Sequence, residues 1–161
     1  MIVFPRFQNG FTLIELVFSI LLMGIISVVV GSILLNGYKT LLTSENISQA
    51  DWQGFIALER IVNDIHTIRS AADISTISAS NLVFTDVNGN SIQFQLSGST
   101  LLRNSQTLAS GIQGLTFGYL DANGSTTATA SSVRYISIAI TAAQGTMSLS
   151  FSTLAGLRGI A

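Results

Sequence analysis

A glutamate stands at the start of a long apolar stretch. Glu15 ends the run Gly10-Phe11-Thr12-Leu13-Ile14-Glu15, and the segment 16–35 that follows contains no charged residue. A carboxylate in or beside a hydrocarbon segment is costly unless an opposite charge pairs with it, and such residues are functional candidates by default. We therefore expect Glu15 to meet a positive charge. The alternative is a membrane anchor with an accidental glutamate near its end.

The apolar stretch is long enough to cross a membrane. As an α-helix, residues 11–35 would span about 37 Å at about 1.5 Å per residue, against a hydrocarbon core of about 30 Å. Arg6 is the only charge in residues 1–10, and it favours a cytoplasmic N-terminus. An ordinary secretory signal has its cleavage site after the apolar core. Here the candidate glycine, Gly10, precedes it.

The segment from Gly10 to Val17 resembles the processing site of type IV prepilins and of the pseudopilins of type II secretion. The resemblance implies that a prepilin peptidase cuts after Gly10 and methylates the new N-terminal residue, Phe11. It also implies that Glu15 is the assembly residue, which meets the N-terminal amine of a neighbouring subunit.

Past the apolar stretch the pattern predicts an amphipathic helix. Apolar residues recur there at helical spacing, which indicates one stripe to bury. They are Ile47, Phe55, Leu58, Ile61, Val62, Ile65, Ile68 and Ala72. A second, polar face is formed by Gln49, Gln53, Arg60, Asp64 and Thr67. Arg60 and Asp64 are spaced to pair across one turn. We predict one long helix from Phe11 to about Ala72.

From Ser80 onward the apolar period becomes two, which is typical of strands. Residues 82–85 and 92–96 flank the turn Asp86-Val87-Asn88-Gly89-Asn90, a hairpin signal. Further strand candidates are 101–103, 106–109, 115–120, 133–141 and 147–151. The segment 133–141 is apolar at both alternating sets of positions and is predicted to be covered on both faces. An antiparallel sheet packed on the C-terminal half of the helix gives an α+β fold.

These patterns, together with what the resemblance implies, divide the chain into four predicted parts. They are a leader peptide (1–10), a transmembrane and filament-core helix (11–35), its amphipathic continuation (36–72) and a periplasmic antiparallel β head (73–161). The 161 residues have a net charge of -1, and 9% are charged, against about 25% in soluble domains. No basic patch indicates nucleic acid as a partner. The sequence has no cysteine, so no disulfide forms.

Catalytic chemistry finds little support in the sequence. The only histidine is His66, and it has no cysteine or second histidine with which to share a metal. The loops that begin at Asp86 and Asp121 contain Asn-Gly steps but lack the spacing of an EF-hand. Asn-Gly steps suit turns. We therefore predict no metal, no cofactor and no enzymatic activity.

Two further segments resemble one branch of the prepilin family. Residues 58–65 with Arg69, and residues 108–119 with the Asn-Gly loop after them, are similar to minor pilins of the W type and pseudopilins of the J type. The resemblance implies a subunit of a type IV pilus or a type II secretion pseudopilus. A minor pilin at or near the tip is favoured, since many major pilins have a C-terminal disulfide.

The resemblance also implies location and partners. The protein would be a single-pass protein of the inner membrane, with a cytoplasmic N-terminus and a periplasmic head, and would then enter the filament. Its partners would be the prepilin peptidase/methyltransferase, other pilin or pseudopilin subunits, the inner-membrane assembly platform and membrane lipid. Two alternatives stay open. One is a major structural pilin, and the other is a membrane-anchored periplasmic binding module that never polymerises and needs neither Gly10 nor Glu15.

Overall fold

The computed structural model describes residues 10–158. Within them, one long helix is followed by eight strands and two short 3-10 helices. The helix is α1 (Leu13–Ile65), and the 3-10 turns are Ala71–Asp73 and Ala130–Ser132. The strands are β1 (Ile74–Ile77), β2 (Asn81–Thr85), β3 (Ser91–Ser97), β4 (Thr100–Arg103), β5 (Gln106–Ser110), β6 (Ile112–Leu120), β7 (Tyr135–Gln144) and β8 (Met147–Gly156). The chain divides into two compact units between Leu42 and Thr43.

The first unit contains the apolar part of α1. None of its described side chains up to Leu42 is buried by the protein. Leu13, for example, is 83% exposed. In the described part of the chain, α1 is the one helix that is long and apolar enough to cross a membrane. Because apolar surface of this extent is unfavourable in water, lipid or other protein must cover it.

The second unit is an α+β head, as predicted, but it contains two sheets where one was expected. A five-stranded sheet has the order β1-β2-β3-β4-β5, and a three-stranded sheet has the order β6-β7-β8. All neighbouring strands are antiparallel. The chain changes sheets at Gly111, which has a φ of 73°. A Cβ there would stand 2.7 Å from the carbonyl oxygen of Ala143, so a glycine is needed at this turn.

Small side chains form much of the helix surface that packs on the sheets. The buried residues of α1 include Ala50, Gly54 and Ala57, followed by Ile61 and Ile65. A Cβ on Gly54 would collide with the ring of Phe151. The aromatic ring of β8 therefore fills the space that the glycine leaves, and helix and strand approach closely.

The prediction of the apolar stripe on α1 is wrong in part, because some of its residues are exposed. Phe55 is 53% exposed and Ile47 is 41% exposed. Ala72 is also exposed. A prediction from periodicity gives most weight to large apolar residues, but the close approach of helix and sheet requires small ones. The buried face of α1 therefore lies beside the predicted face.

The prediction also placed Asp64 on the polar face, and this is wrong as well. Asp64 is 7% exposed. Its Oδ2 accepts a hydrogen bond from Arg103 Nε of β4 at 2.5 Å, and it lies 3.3 Å from Arg60 Nε. The predicted pair between Arg60 and Asp64 is confirmed. The reason for the burial is Arg103, which supplies a second cation from the five-stranded sheet.

The long helix ends at Ile65, earlier than the predicted Ala72. The Asp64 carbonyl accepts hydrogen bonds from both the N–H and the hydroxyl of Thr67, at 3.0 and 2.6 Å. The N–H of Ile68 then bonds to Ile65, three residues back. These tighter 3-10 bonds close the last turn and satisfy carbonyls that the helix leaves open.

The strands agree with the sequence except in two respects. The hairpin of β2 and β3 and the segments of β4 to β8 form as predicted, but β1 was not expected. The second difference concerns β7, where Ile136, Ile138 and Ile140 are buried while Tyr135 and Ala139 are exposed. The prediction that this strand is covered on both faces is wrong, because the outer face of the sheet is open in the head.

Candidate functional site

The predicted cleavage site lies in an exposed, non-helical segment. Gly10 and Phe11 precede α1 and are both exposed, with 74% of Phe11 accessible. A Cβ on Gly10 would meet no atom within 4 Å. The described part of the chain therefore has no packing requirement for a glycine at this position. A requirement for glycine at this position would come from outside the described residues, as it would from a molecule that approaches the backbone.

Thr12 caps the helix that follows. Its Oγ1 accepts a hydrogen bond from the N–H of Glu15 at 3.3 Å, and its carbonyl accepts one from the N–H of Leu16 at 3.2 Å. Threonine at the N-cap satisfies an otherwise unpaired donor of the first turn. Thr12 is not among the predicted site residues. The signal was present as Thr12-Leu13-Ile14-Glu15, the S/T-x-x-E pattern of a capping box.

Glu15 lies in the first turn of α1. A carboxylate there is favourably placed beside the positive end of the helix dipole. Its side chain is exposed, and none of residues 10–158 gives its carboxylate a hydrogen bond or an ion pair. The carboxylate is therefore free to meet a partner outside the described part of the chain. The dipole offsets part of its cost, but it does not neutralise the charge.

The helix beyond Glu15 presents an uncharged surface. No charged residue occurs between Glu15 and Lys39. The Ser19 and Ser27 hydroxyls donate to the carbonyls of Glu15 and Met23, at 2.8 and 2.7 Å. These serines therefore satisfy their donors within the helix and add little polarity to its surface. The segment is suited to hydrocarbon or to other apolar helices.

Glycines interrupt the bulky side chains of this surface. A Cβ on Gly24 or Gly31 would meet nothing within 4 Å. Small residues allow a second helix to approach closely in a membrane or a packed filament. The open faces at these glycines are consistent with such an approach.

The two Asp-x-Asn-Gly loops are the same turn built twice. Asp86 Oδ1 accepts hydrogen bonds from the N–H groups of Asn88 and Asn90, each at 2.8 Å. Asp121 Oδ1 does the same for Asn123 and Ser125, at 2.8 and 2.9 Å. The glycines have φ of 83° and 78°. The prediction that these loops are turns is confirmed, and the carboxylates serve the turn itself.

His66 follows the end of α1 and is exposed. Within residues 10–158, no three histidine, cysteine, aspartate or glutamate side chains group closely enough to hold a metal ion. His66 is therefore not part of such a group in the described part of the chain. The predicted site residues Gly10, Phe11 and Glu15, in contrast, lie close together in the segment 10–15.

Comparison with known proteins supports the N-terminal assignment. Residues 5–34 match the prokaryotic N-terminal methylation motif. The match supports a protein of the type IV prepilin and pseudopilin family. The match covers the exposed Gly10–Phe11 step, Glu15 and most of the apolar helix. No curated protein matches the chain.

The remaining architecture agrees with this family. One long N-terminal helix packed against antiparallel sheets is consistent with a type IV pilin-like fold. Proteins of the family are usually structural, and they are processed at the N-terminus by prepilin peptidase before pilin-type assembly. The motif and the apolar helix together fit membrane anchoring.

Proposed function

We propose that this pilin-like protein is a non-enzymatic assembly subunit of a type IV pilus or a type II secretion pseudopilus. One observation carries the proposal. Glu15 stands at the start of an exposed, uncharged apolar helix, directly after an exposed Gly10–Phe11 step, and no described residue pairs with its carboxylate. A protein that worked only as an anchor would gain nothing from this arrangement.

The proposed mechanism begins with processing. Prepilin peptidase cuts the Gly10–Phe11 bond, which releases the leader 1–10 and exposes an α-amine at Phe11, and the amine is then methylated. Gly10 suits this step because its backbone is accessible and has no Cβ to obstruct the enzyme. The amine stays cationic after one methylation, so it can still pair with a carboxylate.

Assembly then depends on Glu15. In a filament, the Glu15 carboxylate of one subunit pairs with the Phe11 amine of a neighbour. Opposite charges attract strongly where the dielectric constant is low, which offsets the cost of holding each of them in an apolar environment. Because the pair forms at only one axial offset between two helices, it fixes their register.

The proposal places the protein in the inner membrane before assembly, with a cytoplasmic N-terminus and a periplasmic head. The apolar segment 16–35 is covered first by lipid and then by the helices of other subunits. The assembly platform of the inner membrane transfers it from one to the other. Arg6, before the apolar segment, supports this orientation.

Within the family we propose a minor subunit of the W or J type, at or near the filament tip. The absence of cysteine and of a proline in residues 11–35 supports this choice, since many major pilins have both a disulfide and a helix-bending proline. A tip subunit is rare, so quantitative mass spectrometry of purified filaments would separate it from a major pilin, which is the most abundant subunit.

Replacement of Glu15 tests the mechanism. We expect Glu15→Leu to be processed normally and to remain in the membrane, but to be lost from filaments. Glu59→Leu is the matched control, because Glu59 is also an exposed glutamate of α1 but lies in the head; it should assemble normally. If Glu15→Leu enters filaments as well as the wild type does, the pairing mechanism is wrong.

A further inference from the structure

The strand edges of the head differ sharply in how well they are protected. An edge strand exposes unpaired N–H and C=O groups, and proteins usually protect it with a bulge, a charge, a proline or a cover. The edge strands β1 and β5 have four and five residues, and each lies in a pair whose register shifts. Both are short and irregular templates.

The edge strand β6 is covered by other parts of the head. Its pairing with β7 shifts register near its start. On its outer side, Phe117 donates to the carbonyl of Ala79 at 2.8 Å, and the carbonyl of Tyr119 accepts from Thr127 at 2.9 Å. Leu120 also forms a bridge with Thr126. This edge has few free groups to offer.

Among residues 10–158, none of these protections is found at the edge strand β8. It pairs with β7 over ten successive positions without a register shift. Its sequence from Met147 to Gly156 contains no charge and no proline. No residue of the described chain outside β7 forms a backbone hydrogen bond with it. It is a long, regular, uncharged edge, and such an edge is a ready template for pairing with another strand.

The flank of α1 beside this edge is also uncovered. Gln53 Oε1 accepts from the N–H of Ser110, next to the start of β6, at 2.9 Å, whereas Gly54 faces Phe151 of β8. A rotation about the axis of α1 from Gln53 to Gly54 therefore moves from the side of the helix that faces β6 to the side that faces β8.

The side chains that follow Gly54 in this direction of rotation lie beyond the unpaired edge of β8. At about 100° per residue, Asp51 and Phe55 are about 60° and 100° further around the helix than Gly54. Both are exposed. A strand added to β8 would cover the phenyl ring and would lie beside the carboxylate.

We propose that the outer edge of β8, together with Asp51 and Phe55, binds an extended segment of another subunit of the same assembly. The segment adds as a fourth strand. Its inward side chains are apolar where they meet Phe55 and basic where they meet Asp51, and it has no proline. The inference rests on the proposed function for the source of the partner.

A second copy of β8 does not fit this site. The inward side chains of β8, Leu149 and Phe151, already pack on the core of their own head. They cannot also cover Phe55 of a neighbour. The occupant is therefore a loop or a terminal tail with no packed core on its inward face.

Site-specific photo-crosslinking in assembling cells tests the proposal. A photoreactive residue replaces, in separate variants of the full chain, the exposed Ser148, Ser150 and Ser152 of β8. The control position is Thr116, which is exposed on the opposite edge strand. Thr116 stands in the same row of the sheet as Ser152, because both are opposite Ala139.

We expect the three β8 positions to crosslink to one segment of another subunit, with the attachment point moving two residues along that segment at each step. Thr116 should give no such series. Unordered crosslinks, equal labelling from Thr116, or attachment to β8 of a second copy would overturn the proposal. We also expect a second substitution, Ser152→Lys, to lower the crosslinking yield of the variant with the photoreactive residue in place of Ser148 about tenfold. The substitution Thr116→Lys in the same variant should not lower this yield.

The intact mass of the protein in the same samples separates the two proposals. If residues 1–10 have been removed and no ordered series forms, only the edge assignment fails. If the leader is still attached, the proposed function fails, whatever the crosslinks show.

Discussion

The two units of this protein differ in where their apolar side chains lie. Up to Leu42, the apolar side chains of α1 lie outside and the protein covers none of them. From Thr43 onward, isoleucine, leucine and phenylalanine side chains fill a core between α1 and two sheets, with Ile61, Phe84 and Phe94 fully buried. The first unit leaves its apolar surface open to other molecules, whereas the second buries a core of its own.

Glycines and carboxylates have different roles in the two units. Gly24 and Gly31 have open space around them, while Gly54 lies against the ring of Phe151. Glu15 has no partner among the described residues, while Asp64 has two arginines. In the first unit these residues have no partner in the described part of the chain. In the second unit, the partner belongs to the same head.

The largest effect is expected from a glycine exchange. Gly54→Leu should lower the free energy of unfolding of the head by about 3 kcal/mol, because the new side chain collides with Phe151 and overpacks the interface. Gly31→Leu is the matched control, and it should leave head stability unchanged. Thermal unfolding of the detergent-solubilised protein measures both. Equal effects would show that the two units are not packed as differently as described.

Removal of the buried carboxylate should have a smaller effect. Asp64→Asn leaves Arg103, whose side chain is 26% exposed, without its anion. We expect a loss of about 2 to 3 kcal/mol in denaturant unfolding. Asp73→Asn breaks the pair with Arg69, which is 58% exposed, and should cost less than about 1 kcal/mol. If the Asp73 variant is the more unstable, the role assigned to Asp64 is wrong.

A tyrosine links the two sheets of the head. The Tyr119 hydroxyl donates to the carbonyl of Ser78 at 2.9 Å and accepts from its N–H at 3.2 Å. Tyr119→Phe should cost about 1 to 2 kcal/mol. The measurement is urea unfolding at neutral pH, and an unchanged midpoint would mean that these bonds contribute nothing.

The same tyrosine predicts a pH dependence in the alkaline range. Burial raises the pKa of Tyr119 from 10.0 to about 12. The folded head therefore resists ionisation, and its stability should be complete below pH 10 and fall as the pH rises through about 12. Tyr119→Phe should lack this fall. An identical alkaline transition in both proteins would assign it to another group.

The smallest effect concerns the Asp86 turn in acid. Hydrogen bonds from the backbone and then the side chain of Asn90 lower the pKa of Asp86 below its usual 3.8. A lowered pKa adds stability above the usual value, and this is lost as the pH falls through the folded value. Asp86→Asn should therefore show a weaker acid dependence of stability than the wild-type protein. Equal acid limbs would contradict this.

Local signals allowed much of this architecture to be predicted. The turn at Asn88-Gly89 and the strands on either side of it depend on residues close together in sequence. So do the apolar helix and the motif at its start. The N-cap Thr12 could have been predicted in the same way, because the capping pattern spans only Thr12 to Glu15.

The missed features depend on contacts between distant residues. Asp64 is buried because Arg103, 39 residues away, reaches it. The division into two sheets depends on the positive φ of Gly111 and on its hydrogen bond with Ala143. The helix face that packs on the sheets follows from Gly54 and Phe151. No periodicity within one segment reports these pairings.

The intact mass of the protein from membranes of its native host tests the central claim most directly. The account predicts a mass that lacks Met1 to Gly10 and includes one additional methyl group on Phe11. A full-length, unmethylated chain, in cells that process their other prepilins, would contradict it. The first unit would then be a membrane anchor alone, and the protein a binding module that does not polymerise.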